Sequence, residues 1–159
     1  MRDPKSALIW ITNILNELHV PYQIAGGLAA RAYGATRELI DIDIDIPEEC
    51  FDAVKNKVNQ YITFGPTQNT EKPWDILLMT INYHGQDIDI GGAHHAKIYN
   101  QATGQWHHLA TDFSQCVQLE IYGIKVPVIS RDDLLAYKKI LSRPVDIADI
   151  EEVENFIRL

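Results

Sequence analysis

Cysteine is nearly absent from this chain. Cys50 and Cys116 stand far apart, with no CxxC pair and no Cys/His spacing of the zinc type. That argues against a disulfide framework or a structural zinc cluster, and both residues read as reduced thiols. No apolar run approaches the roughly 20 residues that a membrane span needs. Positive charge is also scarce: 14 Lys and Arg face 22 Asp and Glu, for a formal charge of −8. Extended nucleic-acid binding requires a basic face and is not expected, although a small basic nucleotide site remains compatible. There is no internal repeat and no low-complexity tract. Met1-Arg2-Asp3-Pro4 leads into an amphipathic pattern rather than a signal peptide, so the expected location is the cytoplasm. What remains, 159 residues at 46% hydrophobic content, suits one domain over 1–159 with a core of its own.

The stretch that organises the chain runs from Ile24 to Pro47. It opens with an apolar strand ending in Gly26-Gly27, followed by a small-residue helix from about Leu28 to Tyr33. Ile40 to Ile46 then alternates strictly between Ile and Asp, the pattern of a strand with two unlike faces. Asp41, Asp43 and Asp45 share one face, spaced about 6–7 Å along the strand. Asp is a poor strand former and three carboxylates in a row repel one another, so a compensating divalent cation is expected. A solvated edge strand is the alternative, but it leaves the glycine pair unexplained.

An apolar residue, Gly26-Gly27, a thirteen-residue spacer and Asp41-Ile42-Asp43-Ile44 together resemble the signature of the polymerase-β-like nucleotidyltransferase superfamily. Arg37, four residues before Asp41, resembles the arginine of the RxTxDID variant, with Leu39 in place of its threonine. Gly27 occupies a position that is often Ser in the family. The chain is most similar to the minimal bacterial type, the lincosamide and aminoglycoside nucleotidyltransferases. Asp43-Ile44-Asp45 repeats the same local pattern, which keeps Asp45 as a reserve ligand; the spacer and Arg37 favour Asp41 and Asp43.

Along the rest of the chain, Asp3-Pro4 starts a helix carrying Leu8, Ile11, Leu15 and Leu18. Pro47 to about Tyr61 reads as a helix with Cys50, Phe51, Val54 and Val58 inward, and Gly65 to Pro73 as a polar loop. Trp74–Tyr83 and Gln86–Gly92 read as strands around a His84-Gly85 turn. The second strand repeats the aspartate theme. Ile88-Asp89-Ile90 resembles the family's third-carboxylate context, with Asp87 in reserve. Residues 91–113 carry the weakest pattern. His94-His95 and His107-His108 place neighbours on opposite faces, so neither pair chelates alone. They suit a surface hairpin or, with Tyr99 and Trp106, one wall of an acceptor pocket. Cys116–Ile121 and Ile124–Val128 read as short strands, and Ser130 caps a helix over 131–141.

Lys138 falls on the apolar stripe of that helix with Leu134 and Leu141, whereas Lys139 faces out. Lys138 therefore either snorkels or reaches into a cleft; the family resemblance implies a phosphate-binding lysine there. Arg143 to Ile150 resembles the family's closing RxKDxxDI motif, with Val145 where the lysine usually stands. Asp146 reads as a helix cap that also braces Lys138 or Arg143, and Ile147, Ile150, Val153 and Ile157 form the last apolar stripe.

The expected fold is α/β (α+β), a nucleotidyltransferase fold with a short mixed β-sheet and helices packed mainly on one face. The resemblance implies transfer of a nucleoside monophosphate from an NTP to an acceptor hydroxyl, a small molecule such as an antibiotic. Asp41, Asp43 and Asp89 would hold Mg²⁺ (Mn²⁺ as substitute), with Asp89 as general base. Gly26, Gly27, Arg37 and Lys138 would meet the nucleotide. A homodimer is expected. The alternatives are a toxin–antitoxin-type enzyme acting on RNA or protein, and a non-catalytic nucleotide-binding regulator.

Overall fold

The computed structural model describes residues 1–156. Ile157, read above as part of the last apolar stripe, lies outside the described residues. The elements in order are α1 (Pro4–Glu17), β1 (Gln23–Ala25), α2 (Gly26–Ala32), β2 (Asp41–Ile46), α3 (Phe51–Val58), β3 (Ile62–Asn69), β4 (Trp74–Tyr83), β5 (Gln86–Gly92), β6 (Ala96–Asn100), β7 (Gln105–Leu109), β8 (Val117–Ile121), β9 (Ile124–Val128), α4 (Arg131–Leu141) and α5 (Pro144–Asn155).

The sheet is mixed, with strand order β7-β6-β4-β5-β2-β1-β9-β8 and β3 on the other edge of β4. β2 runs antiparallel to β1 and parallel to β5. This parallel pairing matters most, because it sets Asp43 beside Asp89 and Asp41 beside Asp87. The isoleucine face of these strands makes the core: Ile42, Ile44, Ile46, Ile88 and Ile90 are fully buried. They join the cluster that holds Leu8, Ile11 and Leu15 of α1 and Phe51, Val54 and Val58 of α3. The period-2 alternation thus sends apolar side chains to the core and carboxylates to the opposite face.

Four local expectations change. The helix after β1 starts two residues early, so Gly26 and Gly27 are its first turn rather than a preceding loop. The helix expected from Pro47 to Tyr61 is α only over Phe51–Val58, with 3₁₀ turns at Glu48–Cys50 and Asn59–Tyr61. Most of the loop expected over 65–73 is strand β3, paired with β4. It is an edge strand with most residues exposed, so it has no buried face to impose an alternation, and its register slips around Gly65-Pro66. An edge with bulges is where a strand tolerates proline. Finally, α5 is rotated from the expected stripe. Asp146, Asp149 and Val153 face inward, while Ile147 is 55% exposed. The cause is ionic: the inward carboxylates meet three cations, described below.

Within residues 91–113, β6 and β7 form a hairpin, with Tyr99 against Trp106 and Trp106 exposed. No helix among the described residues is long and apolar enough to cross a membrane.

Candidate active site

Asp41, Asp43 and Asp89 converge. Ligand atoms of the three lie within 4.8 Å of one another, one of two such groupings of three among the described residues. β2 supplies two of them and β5 the third, and the parallel register does the rest. Thr80 on β4 lies opposite Asp89 and its Oγ1 donates to Asp89 Oδ1 at 2.7 Å. That bond orients the carboxylate, with Asp41 as its other side-chain neighbour.

The reserve aspartates go elsewhere. Asp45 is half-buried two residues further along β2, where Gln23 Nε2 donates to its Oδ2 at 2.9 Å. Asp87 is exposed and accepts from Asn82 Nδ2 at 2.9 Å. The second grouping is Glu48, Glu49 and His94. There the Glu48 carboxylate accepts the backbone N–H groups of His94 and His95, closing the turn before β6.

Crowding and burial leave the carboxylates of the acidic face short of countercharge. Burial, then the charges of Asp41, Asp89 and Asp45, push Asp43 well above the usual carboxylate range; the Lys138 charge opposes this. Burial raises Asp89 to about 6, against the Thr80 bond and with the help of Asp41. Burial likewise raises Asp45 to about 6, against its bond from Gln23. Like charges that share a site behave this way unless a cation joins them. An all-oxygen donor set of this kind fits a hard divalent cation.

Gly26 closes one side of this face. Its φ is +58°, and a Cβ there would lie 2.0 Å from Asp43 Oδ2. Only glycine fits both the left-handed backbone and the close approach. Its N–H donates to the Tyr137 hydroxyl at 2.8 Å. Burial and the charges of Asp43 and Asp45 hold that phenol well above its ordinary pKa, so it is a neutral hydroxyl. A Cβ on Gly27 would lie 2.9 Å from Arg37 Nη2, which puts the guanidinium directly over the glycine turn.

The cationic residues form a chain of ion pairs. Lys138 is 2% exposed, so it does not snorkel. Its Nζ is 3.1 Å from Asp146 Oδ1 and 3.0 Å from Asp149 Oδ2, the latter without hydrogen-bond alignment. Asp149 Oδ1 accepts from Arg37 Nε at 2.9 Å. Asp146 Oδ2 accepts both the backbone N–H of Arg143, at 3.1 Å, and its Nε, at 2.7 Å, while Arg143 Nη2 reaches Oδ1 at 3.1 Å. Asp146 is therefore the N-terminal brace of α5 and a brace for both Lys138 and Arg143, as its sequence position suggested. Arg143 and Lys138 hold the Asp146 carboxyl below its usual range even though burial opposes them.

Three contributors escaped the sequence reading. Thr80 gave no signal, being one of several alternating strand residues. Tyr137 sits beside the more conspicuous Lys138 on α4. Asp149 did give a signal, a second carboxylate at i+3 from Asp146, but helix capping explained it too easily.

Comparison with known proteins comes to the same place. Among curated proteins none matches this chain. Solved structures that it resembles include a Thermotoga maritima protein described as a nucleotidyltransferase, with a TM-score of 0.71, 21% identity, and coverage of 98% of this chain and 96% of that one. The lincosamide antibiotic adenylyltransferase LnuA, solved with lincomycin bound, is 17% identical at a TM-score of 0.65, covering 99% of both chains. ANT(2'')-Ia in complex with adenylyl-2''-tobramycin is 19% identical at a TM-score of 0.63, covering 94% of this chain and 87% of that one. At these identities the likeness establishes the fold. The profile of the aminoglycoside-2''-adenylyltransferase family matches residues 7–153. The chain belongs to the aminoglycoside-2''-adenylyltransferase family and is a nucleotidyltransferase.

Proposed function

We propose that this enzyme transfers a nucleoside monophosphate from an NTP, ATP first, to a hydroxyl of an antibiotic-like small molecule and releases pyrophosphate. The observation that carries this is the approach of Asp41, Asp43 and Asp89 to within 4.8 Å, with the nearby Lys138 ammonium already held by Asp146 and Asp149. Asp41, Asp43 and Asp89 are the residues to hold Mg²⁺, with Mn²⁺ as substitute. Bound there, the metal neutralises charge on the phosphoryl oxygens and acidifies the acceptor hydroxyl.

The chain's own groups do the rest. Asp89, oriented by the Thr80 bond, takes the proton of the acceptor hydroxyl. The acceptor oxygen bonds to the α-phosphorus as the bond from that phosphorus to the β-phosphate oxygen breaks, and pyrophosphate carries away the electron pair. Gly26 and Gly27 let the triphosphate approach the main chain. Arg37 and Lys138 offset its charge, the usual role of such groups in transfer at phosphorus. Tyr99, Trp106 and the histidines of the β6–β7 region form a wall for the acceptor. A cationic aminosugar suits a chain of net charge −8. The proposal includes one nucleotidyltransferase domain over 1–159, acting in the cytoplasm as a homodimer.

The test is transfer of label from ATP carrying it at the α-phosphate to tobramycin and to lincomycin. Transfer is expected with Mg²⁺, and neither with a chelator nor in Asp43→Asn. A folded protein that binds Mg²⁺–ATP yet labels RNA or protein instead of either antibiotic would overturn the acceptor class.

A further inference from the structure

We infer that Asp149 is a positioning residue, which holds the guanidinium of Arg37 and the ammonium of Lys138 as a fixed pair aimed at the phosphates. The inference rests on the reading above that these two cations meet the triphosphate. Asp149 is fully buried and its two oxygens are divided, Oδ1 to Arg37 Nε at 2.9 Å and Oδ2 to Lys138 Nζ at 3.0 Å. The two cations lie on a loop and on a helix far apart in sequence, and this one carboxylate joins them.

Anchoring the loop is the work of other groups. Arg31 Nη1 donates to the carbonyls of Thr36, at 3.3 Å, and Arg37, at 2.6 Å. Glu152 accepts from the Thr36 N–H at 3.3 Å and from its hydroxyl at 2.6 Å. What is left to Asp149 is the direction of the Arg37 side chain. With Nε committed to the carboxylate, the two terminal nitrogens turn toward Gly27, and Nη2 lies 2.9 Å from the position of a Gly27 Cβ. A fork held in this way keeps two N–H-bearing nitrogens for a phosphate in one fixed plane. Lys138 is held between the two carboxylates, by the charge of Asp149 on one side and by a hydrogen bond to Asp146 Oδ1 at 3.1 Å on the other.

A positioning role makes a distinct prediction. Losing Asp149 should weaken ligands that carry β- and γ-phosphates and spare one that lacks them. A merely structural role would weaken both alike. The readout is the ratio of two affinities, measured by calorimetry with Mg²⁺: an ATP analogue with a non-cleavable α–β bridge, and AMP. Asp149→Asn should lower that ratio about 10–100-fold, the range for partners that orient a binding group. Asp149→Asn leaves Lys138 and Arg37 sharing one carboxylate fewer, and the fold could suffer. The same substitution is therefore also made in Lys138→Met, where Asp146 keeps Arg143 and the surplus charge is gone. It should lower the ratio below that of Lys138→Met alone. An unchanged ratio in both backgrounds, or equal weakening of both ligands, would overturn the inference. Arg37→Gln separates it from its parent reading. A lower ratio in Arg37→Gln with no change in Asp149→Asn removes only the positioning role. No change in Arg37→Gln removes the parent reading and the inference with it.

Discussion

Two groups of carboxylates, one buried and one half-buried, lie side by side in this molecule and are partnered oppositely. Asp146 and Asp149 are fully buried, yet each is matched by a guanidinium and both share Lys138. Asp43 and Asp89, on neighbouring strands, have the Thr80 hydroxyl and the further carboxylate of Asp41 beside them but no ion pair among the described residues, and are pushed to hold their protons. Asp146, the more deeply buried, is the one held below the usual range, so burial alone does not decide the ionisation of a carboxylate. The partner does. The first group carries its own counterions within the chain; the second requires one from outside.

The sharpest way to break the contrast is to remove a charge from the unmatched group. Asp43→Asn should cut nucleotidyl transfer by more than about a hundredfold, beyond the loss expected for an outer-shell partner. The same change should raise the melting temperature of the metal-free protein, each kcal/mol relieved being worth about 2–4 °C at this size. A lower melting temperature would contradict the repulsion described here. Removing a charge from the matched group should do the reverse. Asp146→Ala strands Arg143, leaves Lys138 with Asp149 alone, and should cost about 3–5 kcal/mol in urea unfolding. Asp146→Ala and Asp43→Asn together then test whether the two groups act independently.

The contrast also has a pH signature. Asp45 and Asp89 are raised to about 6 in the fold, from an ordinary 3.8. The native state therefore holds protons that the unfolded chain has released, and stability falls as pH rises from about 4 to about 6. For one such buried group the loss is up to ~3 kcal/mol. Asp146 works the other way: its lowered value adds stability above the usual carboxylate range, which is lost as pH falls through that lowered value. Melting curves of metal-free protein from pH 4 to 7 should decline, and Mg²⁺ should restore stability at pH 7 but not at pH 5.

The smallest effects compare two adjacent lysines. Lys138→Met removes a buried ammonium from carboxylates that each keep a guanidinium, and should cost about 1.5–3 kcal/mol, the range for a charged hydrogen bond. Lys139 pairs with Glu154 at 2.7 Å on the surface, both side chains well exposed. Lys139→Ala should change stability by less than about 1 kcal/mol and leave activity untouched.

Much of this was legible in the sequence, for physical reasons that differ between regions. The Ile/Asp alternation specified both faces of β2 at once, and the same pattern in Gln86–Gly92 announced its neighbour. Their parallel pairing, which joins Asp43 to Asp89, is long-range and came into view only with the fold. β3 was hidden because an exposed edge strand leaves no apolar period to read. The rotation of α5 was hidden because hydrophobicity favoured Ile147 inward, while ion pairing to residues as distant as Arg37 decided the matter. Patterns along a chain record burial well and partnership poorly.

The pairing of Arg37 with Asp149 also has a consequence in time. The two residues are 112 positions apart, and α5 is the last helix made among the described elements. A ribosome delivers residues in order, so Arg37 and the acidic strands emerge long before the carboxylate that pairs with the arginine. The nascent sheet can form before the ion pairs of α5 are made.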